Sequence, residues 1–324
     1  MSQKIEISSR TIIFTVFFIL SLKVIWEVRE LIFGLLLAFI LMSALKPAVN
    51  YLEKGKIPRL LSTIIVFISA IFGVLFLFAV VVPPLLEESL IFVKSLPILI
   101  SNIFPMVSDY FNISSLTSFL PDITQNIIQV ITRLFSNVIF IVSILFFTFY
   151  FLVEEKFLQN FLYKFLNEKK AGEIVVILNK AEKRLSAWMW GEIVLMTLIG
   201  LATYFGLFIL QMKYVLPLAV LAGILEIVPM IGPIISAIPA VLVALAISPV
   251  MAVYTIVLYI LIQQLENNLV VPMVMRKAVG LNPIFTLIAL TVGGKLGGFL
   301  GILLSVPIAL ILETILVEIS RTKD

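Results

Sequence analysis

Six stretches of this chain, near 9–27, 30–50, 60–83, 135–153, 187–211 and 250–275, are long and apolar enough to cross a bilayer, for which about 20 residues suffice. Of the 324 residues, 61% are hydrophobic and 13% charged, whereas a soluble domain is about 45–50% apolar and about 25% charged. One water-soluble core cannot hide that much apolar surface. The bilayer is the solvent for much of it, and segments of this length satisfy their backbone polar groups as helices.

The charges set a topology. Lys54, Lys56 and Arg59 fall in 51–59, and Lys156, Lys164, Lys169, Lys170, Lys180, Lys183 and Arg184 fall in 154–186, whereas 84–134 holds only Lys94 and Arg133. Cytoplasmic loops carry the excess of Lys and Arg. The N-terminus, 51–59 and 154–186 therefore face the cytoplasm, and 84–134 lies outside. The net charge of +4 is explained by these topology signals rather than by nucleic acid. Lys4 and Arg10 precede an apolar run that resembles a signal peptide, but Lys23, Val24, Ile25 and Trp26 follow it in place of a small-residue cleavage site; a retained first helix is expected. With no Cys and no His, neither a zinc nor a haem site is expected, and no cofactor is called for.

Four regions follow: N-terminal membrane helices over 1–83, an extracytoplasmic segment over 84–134, a membrane helix with a cytoplasmic helical elbow over 135–186, and a core over 187–324. In the outer segment, Asp122 and Gln125 resemble a capping box, and Ile123, Ile127, Ile131 and Leu134 share a helical face. Such a helix either lies at the outer membrane surface, packs on a neighbouring subunit, or packs on its own bundle. In the elbow, Phe157, Phe161 and Phe165 line one face, and Ile174, Ile177, Leu178, Ala181 and Leu185 line another.

Two further apolar regions, 214–247 and 281–318, are interrupted. The first holds Glu226 and then Val228-Pro229-Met230-Ile231-Gly232-Pro233; the second holds Gly293-Gly294-Lys295-Leu296-Gly297-Gly298, Gly301 and Pro307. Prolines and glycines so closely spaced stop a helix, and the halves are short for a crossing. Irregular backbone at membrane depth is tolerated only inside protein or along a polar cavity. A pair of such segments in corresponding positions is the sequence mark of a transporter's binding site. If both crossed once, Arg276 and Lys277 would lie outside. If each is a re-entrant hairpin, those residues and Arg321 and Lys323 are cytoplasmic. The expected fold is an all-α polytopic membrane protein with about six transmembrane helices and two re-entrant helical hairpins in an inverted repeat. The competing arrangement is eight ordinary spans whose Gly and Pro serve close packing.

Polar residues cluster inside one span: Gln263-Gln264-Leu265-Glu266-Asn267-Asn268, followed by Pro272. A charge at the bilayer centre costs about 2.5 kcal/mol or more on insertion scales, so it faces a cavity or a partner. Gln263, Glu266 and Asn267 share a face by i, i+3, i+4 spacing, with Gln264 and Asn268 beside them. Amides with one carboxylate suit a small polyhydroxylated solute or a monovalent cation such as Na⁺ or H⁺; interhelical hydrogen bonding is the structural alternative. Glu226 is a second carboxylate candidate, and Lys295 a candidate partner for Glu226 or Glu266. Glu192 and Glu313 read as interfacial or packed on polar partners.

The blocks 228–233, 263–268 with Pro272, Gly280-Leu281-Asn282-Pro283, Gly293-Gly294, Gly297, Gly301 and Pro307 resemble the autoinducer-2 exporter (AI-2E) family in order and spacing throughout 185–310. The resemblance implies a bacterial or archaeal inner-membrane transporter, commonly homopentameric, with two substrate-holding hairpins and an elevator-like motion. Family members include autoinducer-2 exporters and Na⁺(Li⁺)/H⁺ antiporters. The chain departs where Asn282 stands at a position often His, and where Glu192 stands at a position often Gln.

The expected function is export of a small polar solute such as autoinducer-2. The site would comprise Glu226, Pro229, Gly232, Pro233, Gln263, Gln264, Glu266, Asn267, Asn268, Gly293 and Gly294, with Gly and Pro freeing backbone groups for the solute. The alternative is a Na⁺(Li⁺)/H⁺ antiporter titrating Glu226 and Glu266; a third is a non-transporting scaffold. An enzyme is not expected, since no nucleophile–base pair and no phosphate loop in context occurs. The expected partners are a small polar solute or monovalent cation, the lipid bilayer and further copies of the chain, and no nucleic acid.

Overall fold

The computed structural model describes residues 9–103, 138–229, 231–275 and 283–321. The outer helix expected near 122–134, together with Arg276, Lys277 and Asn282, lies outside them. The described residues form helices α1 (Ser9–Glu27), α2 (Arg29–Lys54), α3 (Arg59–Ile103), α4 (Val138–Val153), α5 (Phe157–Phe165), α6 (Glu168–Ile209), α7 (Val215–Leu225), α8 (Ile231–Ile247) and α9 (Pro249–Leu265). A π-helical turn (Glu266–Val270), α10 (Val271–Val274) and α11 (Pro283–Arg321) complete them. Five of these segments are long and apolar enough to span a bilayer, or six if α4 and α5, bent by 79°, count together. Exposed apolar side chains such as Phe14, Phe72, Phe146 and Phe208 mark surface whose solvent is hydrocarbon. The chain is an all-α, multi-pass membrane protein.

Two expected boundaries shift. The span expected to end near Pro83 continues as α3 to Ile103: each proline removes a single helical hydrogen bond, and Leu, Ile and Phe remain frequent beyond it. The second part of the elbow, from Glu168, and the span expected over 187–211 form one 42-residue helix, α6, about 63 Å long at 1.5 Å per residue. That is twice the hydrocarbon thickness of about 30 Å, so the charged first half of α6 projects beyond the bilayer.

Three apolar clusters hold the bundle. Ile40 of α2, Leu185, Trp188 and Leu195 of α6, Met275, and Leu304, Val306 and Leu310 of α11 form the first. Leu207, Met212, Leu218, Ala240, Val243, Ala244 and Ala252 join α6 through α9 in the second. Met42, Val49 and Leu152 join α2 to α4 in the third. Each fully buried aliphatic side chain contributes about 1.5–3 kcal/mol where water is the reference; in lipid the gain is close packing, and small residues provide it. A Cβ on Gly223 would lie 2.7 Å from the Met196 carbonyl oxygen, and one on Gly206 2.5 Å from the Leu258 side chain, so α6 lies tight against α7 and α9.

Ion pairs gather at one end. Lys46 binds Glu155 at 3.2 Å and Glu182 at 2.6 Å, Arg59 binds Glu155 at 2.9 Å and Glu53 at 3.0 Å, and Lys180 binds Glu318 at 2.5 Å. Arg184 pairs with Glu313 and donates to Thr314 Oγ1, so Glu313 has a polar partner as its sequence context implies. Arg59 Nε also donates to the Leu152 carbonyl at 2.9 Å, serving the open C-terminus of α4. These contacts place the ends of α2, α4 and α11, the start of α3 and the first half of α6 on one side. Exposed and half-exposed pairs contribute about 0–1 kcal/mol each. Arg184→Ala is therefore expected to lower the melting temperature by no more than about 4 °C, readable by thermal unfolding of the purified protein.

Both interrupted segments fold back on themselves. α7 and α8 pack on one another, and a Cβ on Gly232 would stand 1.9 Å from the Leu225 carbonyl oxygen. α7 is about 16 Å long by its rise, half the hydrocarbon thickness. In α11 the chain turns at Gly298, with φ 57° and ψ −133°, a conformation that favours glycine. Beyond it Gly301 returns to Gly293: a Cβ on Gly293 would meet the Gly301 oxygen at 2.4 Å, although eight residues of straight helix span about 12 Å. The two arms of α11 touch backbone to backbone.

Candidate functional site

Three carboxylates converge inside the protein from three elements. Glu192 of α6, Glu226 at the end of α7 and Glu266 at the end of α9 are each at most 6% exposed. Glu192 belongs to the buried stripe Leu185, Trp188, Glu192, Leu195, Ile199, Thr203 and Leu207 of α6, and stands about 12 Å along the axis from Arg184. Glu226 is delivered by α7, which the Gly200–Gly223 contact seats against α6. Glu266 opens the π turn, where the Val271 N–H reaches back five residues to the Glu266 carbonyl. Pro272 accounts for that turn: it has no N–H, and its ring clashes with the carbonyl four residues earlier unless the helix widens.

The Glu226 and Glu266 carboxyls hydrogen-bond to one another, and Glu192 lies within electrostatic reach of both. Gln263 Nε2 donates to Glu266 Oε2 at 2.9 Å. Glu226 Oε2 is buried and, among the described residues, has no hydrogen-bond partner. Among the described residues no Lys or Arg pairs with any of the three. A carboxyl–carboxyl hydrogen bond requires a proton on one partner, and a buried charge requires a counter-charge. The arrangement can hold or exchange a proton, or accept a small cation. No group of three or more His, Cys, Asp or Glu among the described residues is arranged to wrap a metal ion.

The remaining candidates are distributed. Gln264 and Asn268 are exposed and bonded to one another, Asn268 Nδ2 donating to Gln264 Oε1 at 2.9 Å, and Asn267 is exposed. The shared face expected for Gln263, Glu266 and Asn267 is divided by the π turn, which changes the angle per residue. Pro229 and Pro233 are half-buried at the first turn, with Gly232 buried between the arms. The backbone of that turn is less free than its Gly and Pro imply. The N–H groups of Glu226, Ile227, Val228, Ile231 and Gly232 donate to Ala222, Ile224, Leu225, Pro229 and Val228 carbonyls. The second folded-back segment packs on α2 and α6. Gly293 is half-buried between its arms, and Gly294 and Lys295 line a separate cavity with Trp26, Arg29, Glu30 and Phe33. Lys295 is thus not the counter-charge of the buried carboxylates. Of the two places its sequence allows, at the interface or packed on polar partners, Glu192 takes the second, buried beside Glu266; it was not among the expected site residues, and its place on the apolar stripe of α6 is the signal for it.

Several membrane-embedded helices, two folded-back segments and a buried carboxylate cluster define a multi-pass membrane transporter. Comparison with known proteins agrees: the model of the AI-2E family transporter matches residues 12–321, and the chain belongs to that family. It is 30% identical over 316 residues to YueF of Bacillus subtilis (strain 168), covering 91% of this chain and 85% of that one. It is 19% identical to YrrI of the same organism over 333 residues, 96% and 94% of the two chains. PerM of Escherichia coli (strain K12) is 26% identical over 154 residues, 46% and 42%. All three are provisionally named as transport proteins or a permease.

Proposed function

We propose that this chain is a secondary transporter of the cytoplasmic membrane whose transport cycle is coupled to a proton or a monovalent cation bound at Glu226 and Glu266. The observation that carries the reading is the buried carboxyl pair, with Glu226 Oε2 unpartnered and no basic side chain among the described residues to neutralise it. A site that changes ligand between proton and cation needs carboxylates without a fixed counter-charge. The transported species is a small polar solute such as autoinducer-2, leaving the cell, or Na⁺ or Li⁺ itself in antiport.

The ion-paired end, rich in Lys and Arg, is the cytoplasmic side by the positive-inside rule, and both termini lie there. The two folded-back segments act as re-entrant hairpins of an inverted repeat. The core built from α6 to α11 moves in an elevator-like manner against α1 to α4, in an assembly of several copies.

Proteoliposomes containing the purified chain test the reading. Na⁺- or Li⁺-driven change of internal pH, and uptake of labelled autoinducer-2, are measured side by side. A cation-driven pH change without solute flux selects antiport; solute flux that responds to a pH or Na⁺ gradient selects coupled export. Solute flux indifferent to both gradients would sink the coupling. Gln263→Ala, which removes the donor held by Glu266, is expected to lower flux about tenfold or more, the loss usual for a buried hydrogen bond to a charged group at about 1.5–3 kcal/mol.

A further inference from the structure

At the ion-paired end, α2 and α6 leave between them a cavity of about 530 Å³. Its walls include Lys46, Asn50, Tyr51 and Lys54 of α2, and Lys183 and Trp190 of α6. Lys46 is neutralised by Glu155 and by Glu182, which also faces the cavity. Lys54 and Lys183 are exposed and form no ion pair among the described residues. Two positive charges therefore face a hollow that supplies no further anion. Pro47, also on the wall, donates no N–H to the Ser43 carbonyl four residues earlier, which leaves an acceptor there for a hydroxyl.

The aromatic residues locate this hollow in the membrane. Tyr51 is 77% and Trp190 50% exposed, and the Trp190 indole N–H is fixed by the Ala44 carbonyl at 3.0 Å. Tyr and Trp so placed sit at the level of lipid headgroups. On the bilayer side of Trp190 the same stripe of α6 continues as Ile193 and Val194, both exposed. The cavity thus presents two cations, an amide and a hydroxyl acceptor at one end and an apolar track at the other. A free inorganic anion would use the first end only; a lipid uses both.

We propose that this cavity binds the phosphodiester headgroup of an anionic phospholipid, between Lys54 and Lys183, with an acyl chain laid along Trp190, Ile193 and Val194. Basic pockets between membrane helices on the cytoplasmic side take anionic headgroups by this chemistry. The site joins α2 to α6, so occupancy ties the two parts of the bundle together at their charged ends.

The test uses the full-length protein in neutral micelles doped equally with phosphatidylglycerol and phosphatidylcholine, with retained lipid read by native mass spectrometry. The expected result is retention of phosphatidylglycerol over phosphatidylcholine. Lys54→Gln with Lys183→Gln lowers that retention about thirtyfold, the fold-change for two lysines near a charged lipid surface. Lys169→Gln with Lys170→Gln, on the same exposed charged segment but outside the cavity, leaves it within about twofold. Unchanged retention in the first pair, or equal loss in the second, overturns the proposal. Inorganic phosphate is the other arm: a melting temperature raised by phosphate, without preference between the lipids, assigns the hollow to a free anion and overturns the lipid. One measurement needs no variant. Phosphatidylglycerol with brominated chains is expected to quench tryptophan fluorescence more than brominated phosphatidylcholine; equal quenching overturns the proposal as well.

Discussion

Glu266→Gln abolishes the cation-driven pH response of proteoliposomes, down to the level of protein-free vesicles, while the protein folds and melts as the parent does. The substitution keeps the side chain's volume. Its amide oxygen still accepts from Gln263 Nε2, which donates to Glu266 Oε2 at 2.9 Å, and its amide nitrogen donates to Glu226 in place of the shared proton. What it removes is the ability to alternate between a protonated and a charged form. Glu266→Ala differs, because it strips Glu226 of its partner inside the bundle, where Glu226 Oε2 already lacks one. An orphaned buried polar group costs about 1–3 kcal/mol, so the Ala variant is expected to lose stability and flux together. The contrast between the two variants separates a titrating role from a structural hydrogen bond. Parent-level pH responses in Glu266→Gln, with the fold intact, would remove the carboxyl pair from the coupling mechanism.

Much of the architecture is legible in the sequence because the bilayer imposes a coarse code. Span lengths, the Lys and Arg bias and the Gly/Pro interruptions are each one-dimensional signals. They anticipate where α2, α4 and α9 lie and, to within a few residues, that the helices break near 228–233 and within 293–301; the breaks fall just before Ile231 and at Gly298. The site is only half legible, since convergence is three-dimensional. Glu226 and Glu266 stand out as carboxylates inside apolar runs. Glu192 stands out less: it follows the charged stretch ending at Arg184 by two turns, and its sequence context leaves both an interfacial place and packing on polar partners open. Its burial arises because α6 is one continuous helix from Glu168, which sets Glu192 in register with the buried stripe that α2 and α11 help to cover. The π turn escapes for a similar reason. Pro272 is visible, but whether a proline kinks a helix or widens it depends on which carbonyl has room to move. Gly293 and Gly294 look like half of a binding site by symmetry with Gly232; in space Gly293 lies against Gly301 and Gly294 against Ile302.

The contact between the two arms of α11 makes the sharpest structural demand. Gly301→Ala adds one methyl group, yet that carbon would stand 1.9 Å from the Gly293 carbonyl oxygen and 2.7 Å from its carbon. Both obstacles are backbone, so no side chain can rotate away. Ser305 Oγ, which donates to the Gly301 carbonyl at 2.6 Å, would also meet a Cβ on Gly293 at 2.2 Å, so the contact is closed from both sides. The arms must separate, and the apolar packing of Leu304, Val306 and Leu310 against α2 and α6 loosens with them. Overpacking a closed contact costs about 1–3 kcal/mol and more where backbone must move. The melting temperature of Gly301→Ala is therefore expected to fall by about 4 °C per kcal/mol lost, or about 10 °C. Gly73→Ala is the matched control: nothing lies within 4 Å of its added Cβ, and alanine favours a helix by about 1 kcal/mol over glycine. That variant is expected to melt at or above the parent temperature. If the two variants melted alike, the hairpin would not be closed in the membrane, and α11 would have to be read as one long crossing kinked at Gly298.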